Sequence, residues 1–457
     1  MSNQYQEFND QQTGQTGAQG YGTHEETGGS QPFATHPKSK KKLAIGLTAF
    51  FLLGAGGGAA AYFLSRSGAN NPNQPPQGTP LNFIAVGDWG TASSATHDSS
   101  TGKDPYDSPA YWEDFNSQEN IGYLMGIWAK QNPIEFVMSH GDNFYWNGIE
   151  SNTDPRWNIT FENVYNYSSL MVPWLNVFGN HDYGGGSDIK GGDKAMESLF
   201  QAQATYKSPF REWVLDGHYY SRVFKHTEKN GDTFDIEVFN IDTNAAKIHG
   251  FNEICCQTYG YANKGCDDDI CKAEFDYKGG CAPKADVDSC RVYLAKQFDD
   301  SMTWLESALA KSKAKWKVVN SHYHPRMHMQ DPHQGRLYSI LKAGGAHAFF
   351  CGHTHAEGHD YRDSVHYFLN GAGGGIRKDG EDSGVGAQIV FSETNYAFIG
   401  AQVYSNEMVI KFYGWGDGWS NWKIPKTGTA KVIHCWSVPL DGSIGGNSTC
   451  TAQQLQN

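Results

Sequence analysis

Positive charge is scarce in this chain. Thirty-six lysines and arginines stand against 49 acidic residues, a net charge of −13 over 457 residues. So acidic a chain repels phosphate backbones, and no nucleic-acid partner is expected. There is no Gly-X-Y period, which excludes a collagen-like chain, although glycine is in excess at 53 residues, about 12% against a usual ~7%. No internal repeat is visible. Nine cysteines are too few to build a miniature disulfide scaffold at this length. Aromatic residues are abundant, with 13 Trp, 24 Tyr and 25 Phe, and they argue against disorder over most of the chain.

The N-terminal part is set apart by composition. Met1–His36 is rich in Gln, Gly, Thr and Asn, and Lys38, Lys40, Lys41 and Lys42 follow. Residues 1–42 therefore read as a disordered cytosolic tail, because such a segment buries too little apolar area to offset its ordering entropy. Residues 43–64 carry no charge. As a helix they would span roughly 33 Å, enough for a ~30 Å hydrocarbon core. A cleaved signal peptide is the alternative, with small residues near Ala59–Tyr62, but the apolar run is long and starts late. A signal anchor with a cytosolic N-terminus, hence a type II membrane protein, is the expectation. Residues 65–80 read as a linker.

From Leu81 onward a unit recurs: a short apolar run, then polar residues of metal-ligand type. Phe83–Val86 leads into Gly87-Asp88-Trp89-Gly90, and Phe136–Met138 into Ser139-His140-Gly141-Asp142. Trp174–Phe178 leads into Gly179-Asn180-His181-Asp182, Trp316–Val319 into Asn320-Ser321-His322, and Ala346–Cys351 into Gly352-His353-Thr354-His355. The runs resemble buried strands, and helical patterns such as Ile121–Lys130 and Phe298–Lys311 lie between some of them. Alternation of this kind argues for an α/β fold, in which ligands bind beyond the carboxyl ends of strands. Five motifs at five strand ends are expected to converge.

The collected residues are Asp88, Asp142, Tyr145, Asn180, His181, His322, His353 and His355. Carboxylate, phenolate, amide and imidazole together suit a mixed oxygen and nitrogen transition-metal site, and no cysteine is needed. Two cations ~3.5–4 Å apart, bridged by one carboxylate, can generate hydroxide and clamp the oxygens of an in-line displacement. A lone Gly-Asp is usually a turn and a lone Asn-His a surface or core pair; five such pieces in order reverse that weighting.

In order, these motifs resemble the metallophosphoesterase superfamily. The tyrosine three places after Asp142 is the mark of its purple acid phosphatase family, and the chain is most similar to the small, tartrate-resistant branch. The resemblance extends through Asp154-Pro155-Arg156-Trp157, Val172-Pro173-Trp174, Asn240-Ile241-Asp242-Thr243 and Gly371-Ala372-Gly373. It implies a four-layer α-β-β-α sandwich of two mixed sheets over residues 81–457. It also implies hydrolysis of phosphate monoesters at acidic pH, hydroxide at the metals attacking phosphorus. Asp88, Tyr145 and His355 would hold iron(III), and Asp142 would bridge to a second metal, iron(II), zinc or manganese. Asn180, His322 and His353 would complete that second site. His181 would donate a proton to the leaving group, and His333, or next His328, would stand for the family's substrate-pocket histidine. His324, which interrupts the family's His-Tyr-Pro, is the alternative to His322. A phosphodiesterase or nucleotide hydrolase of the same superfamily, or a non-catalytic glycoprotein retaining the fold, are the rival readings.

Six cysteines (Cys255, Cys256, Cys266, Cys271, Cys281 and Cys290) lie in a stretch, 251–292, most of which has no counterpart in the family core. Three disulfides stapling a surface insertion are expected, of unreadable connectivity and with partners unknown. Cys435 and Cys450 are expected to pair, and Cys351, in an apolar run, to be a free core thiol. Oxidised cysteines and the glycosylation acceptors Asn158, Asn166 and Asn447 fit an extracellular or lumenal catalytic domain.

Overall fold

The computed structural model describes residues 78–91, 117–145, 148–183, 192–246, 250–251, 254–255, 284–374, 389–415, 429–444, 450–451 and 454–455. The expected tail 1–42, the span 43–64, most of the linker, Asn447 and Cys256, Cys266, Cys271 and Cys281 lie outside these residues. Among the described residues no helix is long and apolar enough to cross a membrane.

Two seven-stranded mixed sheets form the centre. The first has the order β14-β13-β12-β1-β2-β3-β4, with β1 (Leu81–Val86), β2 (Ile134–Ser139), β3 (Trp174–Asn176), β4 (Trp213–Val214), β12 (Ala397–Val403), β13 (Glu407–Trp415) and β14 (Ala430–Pro439). The second has the order β11-β9-β10-β8-β7-β6-β5, with β5 (Tyr219–Thr227), β6 (Thr233–Ile241), β7 (Trp316–Asn320), β8 (Ala348–Cys351), β9 (Glu357–Arg362), β10 (Val365–Asn370) and β11 (Ile389–Glu393). β1 to β4 run parallel, as do β6, β7, β8 and β10, and the remaining pairings are antiparallel.

Strand periodicity sorts side chains to the two faces. Val318 and Phe350 join the core between the sheets, while their neighbours Val319 and Phe349 join a second core under helices. Rings meet across the sheets at Phe83–Phe350 (5.9 Å), Phe136–Phe224 (4.2 Å) and Phe368–Phe412 (6.2 Å). Outside the first sheet, helix α1 (Ser117–Gln131) lays Trp128 on Phe398 and Tyr413. Helix α2 (Asp193–Ala204) precedes β4. Outside the second sheet lie α3 (Lys284–Lys311) and α5 (His333–Gly344), with the single turn α4 (Pro325–His328) between β7 and α5.

Helix α3 starts at Lys284, not near Phe298 as the sequence pattern indicates. Its buried stripe runs Val287, Cys290, Leu294, Phe298, Met302, Leu305, Leu309 at spacings of three and four, continuous from inside the expected insertion. Cys290 bonds Cys255, and both are fully buried against the main core. This bridge therefore ties the insertion to the core instead of stapling an exposed loop. Cys435 bonds Cys450, and Cys351 is a buried free thiol.

Three histidines link the sheets away from the motif loops. His359 of β9 places Nδ1 3.1 Å from His434 Nε2 of β14, and Nε2 3.0 Å from His366 Nδ1 of β10. Burial holds all three rings neutral, His366 and His434 down at about 4 and His359 well below the usual range. The unfolded chain binds these protons near pH 6.5 and the folded chain does not, so stability is full above that pH and falls as pH drops toward 4. A single ring shifted this far is worth about 3 kcal/mol. Urea unfolding between pH 7 and 4.5 should show this loss, and His359→Leu should flatten the slope. An unchanged slope in the variant would place its origin elsewhere.

Candidate metal centre

All five motif loops leave the carboxyl ends of parallel strands, three from the first sheet (β1, β2, β3) and two from the second (β7, β8). They meet at the seam between the sheets. Backbone hydrogen bonds lace them together: Asp88 N donates to Gly141 O (3.0 Å) and Gly352 N to His322 O (2.9 Å). The Asn320 amide donates to Ser139 O (2.9 Å), and Arg156 donates to the carbonyls of Tyr145 and Gly148.

Three of the candidate ligands sit in left-handed backbone: Asp88 (φ 56°), Asp142 (φ 51°) and His353 (φ 71°). Such conformations cost about 1–3 kcal/mol each and persist where surrounding structure enforces them, commonly at functional sites. The glycines before the ligands serve two ends. Gly141 needs its φ of 91°. At Gly179 and Gly352 the constraint is space, since a Cβ would lie 2.1 Å from Asp142 Oδ1 or from Asp88 Oδ2.

The residues divide into two groups that share Asp142. Asp88, Asp142 and His355 have ligand atoms within 4.8 Å of one another, and so do Asp142, His322 and His353. In the first group Tyr145 Oη lies 2.7 Å from His355 Nε2 and 3.2 Å from Asp88 Oδ1. In the second, Asn180 Oδ1 lies 3.0 Å from His322 Nε2 and 2.9 Å from His353 Nδ1, with His322 Nε2 3.6 Å from Asp142 Oδ1. His322 Nδ1 donates to the His140 carbonyl (2.8 Å). The neutral ring then directs its Nε2 lone pair at an amide oxygen and a carboxylate, acceptor facing acceptor, which a cation or an extra proton must relieve. In the other group, burial pushes the Tyr145 phenol far up, aided by Asp142 and Asp88, so only a nearby cation would let it ionise. Burial likewise raises Asp88; burial acts upward on Asp142 too, but the rings of His322 and His181 and the His181 N–H outweigh it and hold that carboxyl low. These donor sets fit two cations, and Asp142 is within reach of both.

His181 adds its backbone N–H to Asp142 Oδ1 (2.9 Å), and its half-buried ring packs 4.6 Å from the Tyr145 ring. The structure separates the remaining candidates. His324 caps α4, taking the Arg326 N–H on Nδ1, with Nε2 3.3 Å from Asp360; His322 is the residue turned to the site. His333 opens α5 and its ring packs on Phe298 at 4.6 Å. The single turn of α4 instead brings His328 against His353, ring centroids 4.6 Å apart, with Nε2 3.0 Å from Thr354 Oγ1. Asn158 and Asn166 are exposed.

Nothing in the sequence pattern marks a role for Asp182, which closes the Gly-Asn-His-Asp motif. Its buried carboxylate takes the N–H groups of Gly179 (2.9 Å) and Asn143 (3.0 Å) and the Gln203 amide (2.9 Å), so it binds the Asp142 loop to the Asn180 loop. Burial, then the charge of Asp142, pushes its carboxyl up to about 7.

The sequence profile described as calcineurin-like phosphoesterase matches residues 81–357, more than half of the chain. The chain belongs to the calcineurin-like phosphoesterase family. Among its curated relatives, this phosphoesterase is 27% identical to purple acid phosphatase 17 of Arabidopsis thaliana over 64% of this chain and 68% of that one. It is 27% identical to the tartrate-resistant acid phosphatase type 5 of Rattus norvegicus over 64% and 72%. A solved structure of GAP50, the anchor in the inner membrane complex of Plasmodium, is similar at 16% identity and a TM-score of 0.49, covering 78% of this chain and 88% of that one.

The contacts at Gly179 make the phosphoesterase testable without an activity assay. Gly179→Ala should leave the circular dichroism spectrum intact and lower the bound metal per chain, measured by elemental analysis. Unchanged metal content would show that the Asp142 carboxylate has room to move and does not hold the cations as described.

Proposed function

We propose that the protein is a phosphomonoesterase of the purple acid phosphatase type. The observation that carries this reading is the sharing of Asp142 between an Asp88–Tyr145–His355 group and an Asn180–His322–His353 group. The first would hold iron(III), and the second iron(II), zinc or manganese. Cations held by these two groups would supply hydroxide near neutral pH and offset charge on the phosphoryl oxygens. The chain's own residues do the rest. Asp182 and the backbone lacing hold the ligand loops in register, and left-handed turns at Asp88, Asp142 and His353 aim their side chains into the seam. His181, beside the shared carboxylate and half-open to solvent, donates a proton to the departing alkoxide, a step typically worth ~10²–10⁴ in rate. That role requires imidazolium, so the rate is higher at acidic pH. His328 and Thr354 line the approach next to His353.

The buried Cys255–Cys290 bridge and Cys435–Cys450 support a catalytic domain outside the cytosol, and the exposed Asn158 and Asn166 could carry glycans there. Residues 43–64 would anchor it in the membrane as a type II protein, at the cell surface or in a lysosome-like compartment.

Hydrolysis of p-nitrophenyl phosphate by the full-length protein should fall from pH 5 to pH 8, and Asp142→Asn should abolish it with the fold retained. Full activity in the variant, or metal-loaded protein without turnover, would defeat the proposal. Tyr145→Phe should remove a visible charge-transfer band of the iron-loaded protein. Absence of that band in the wild type would exclude iron at the tyrosine site.

A further inference from the structure

Behind the His181 turn lies a closed hydrogen-bond network that hydrolysis does not use. Its centre is His218, just before β5, with the Phe200 ring of α2 stacked on it at 3.7 Å. His218 Nδ1 lies 3.1 Å from Tyr183 Oη and 3.3 Å from Asp242 Oδ2. Nε2 lies 3.0 Å from Tyr293 Oη of α3 and 3.8 Å from Glu197 Oε2 of α2. The His218 side chain is 11% exposed and that of Asp242 2%.

The protons in this network can be assigned by counting donors. The Tyr183 hydroxyl donates to Asp242 Oδ2 at 2.7 Å, and the Tyr293 hydroxyl donates to Glu197 Oε2 at 2.7 Å. Each phenol has one proton, and each is committed to a carboxylate. Both phenol oxygens therefore present lone pairs to the ring, and only an imidazole protonated on both nitrogens can donate on both sides. The described groups facing the ring are acidic or phenolic: Glu197 of α2, Tyr293 of α3, Asp242 after β6 and Tyr183 of the turn. Although burial acts upward on the Asp242 carboxyl, the bond and charge of His218 hold it below the usual range. Burial also acts upward on Glu197, and the Tyr293 and Gln201 bonds hold it down.

Asp242 grips both ends of one segment. Through Oδ2 it takes the hydroxyl of Tyr183, the last residue of the 3-10 turn His181–Tyr183. Through Oδ1 it takes the Asn244 backbone N–H (2.8 Å) and amide (3.0 Å), and that amide also donates to Phe178 O (2.9 Å). Between Phe178 and Tyr183 lie Gly179, Asn180, His181 and Asp182.

We infer that His218 is a positioning residue whose imidazolium form closes the Tyr293–His218–Asp242–Tyr183 network on residues 178–183, so that the segment is clamped while the ring carries both protons and loosens when it gives one up. The clamp stands whether or not His181 is the proton donor of the proposed reaction. A neutral His218 meets an acceptor with a lone pair on one side, and one of its two phenol contacts is lost. One contributing phenol, Tyr293, comes from α3, three residues past Cys290, whose bond to Cys255 is buried in the core.

Amide hydrogen exchange on the full-length protein tests this directly. Protection factors for residues 178–183, corrected for the intrinsic pH dependence of exchange, should fall at least tenfold between pH 5 and pH 8 in the wild type. His218→Gln, which cannot titrate, should give a low and pH-independent protection. Tyr293→Phe, which removes one acceptor from Nε2, should move the midpoint of the change to lower pH, and it decides the matter if His218→Gln fails to fold. Wild-type protection that does not change with pH, or the same change and midpoint in both variants, would overturn the inference. The readout needs no turnover, so loss of the phosphatase reading alone would leave it standing.

Discussion

Two buried carboxylates that cannot both be charged alone determine much of this structure. Asp88 and Asp142 sit fully inside the protein at the seam between two sheets, where an uncompensated anion is costly. Each is therefore met by backbone donors from another loop, Asp88 by the His353 N–H (2.9 and 3.1 Å) and Asp142 by the His181 N–H (2.9 Å). Imidazoles from the second sheet complete the compensation. The left-handed turns, the glycines without room for a side chain and the buried Asp182 all follow from bringing these two groups together and keeping water from doing the job instead.

The same requirement explains why donors from so many places converge. A carboxylate pair of this kind needs charge from several directions, and no single strand end can supply it. Parallel strands place successive loops at one edge, and stacking two such sheets doubles the number of loops that reach one point. Antiparallel strands at the margins, β12 to β14 and β9 with β11, extend the sheets without adding to that edge.

Much of this was legible in the residues. Strand runs before Asp88, Asp142, Asn180, His322 and His353 are short, apolar and followed by ligand-type residues, so their convergence could be anticipated from the α/β pattern. What was not legible lies in three-dimensional contacts. The buried stripe of α3 continues to Val287, but glycines, aspartates and cysteines around it hide its start. His333 and His328 look alike in sequence; only the turn of α4 decides that His328 returns to His353 while His333 meets Phe298. Asp182 closes a ligand-type motif, yet its role is visible only through the three groups that donate to it. His218 carries no motif at all.

The division of donors between the sheets has a wider consequence. The first sheet provides Asp88, Asp142, Tyr145 and Asn180, the second His322, His353 and His355, and each group draws from both. Any cation held there is a rivet through the two halves of the sandwich, so its binding free energy is also association free energy of the halves. Loss of such a cation would loosen the hold between the two sheets and leave the chain more open to proteolysis.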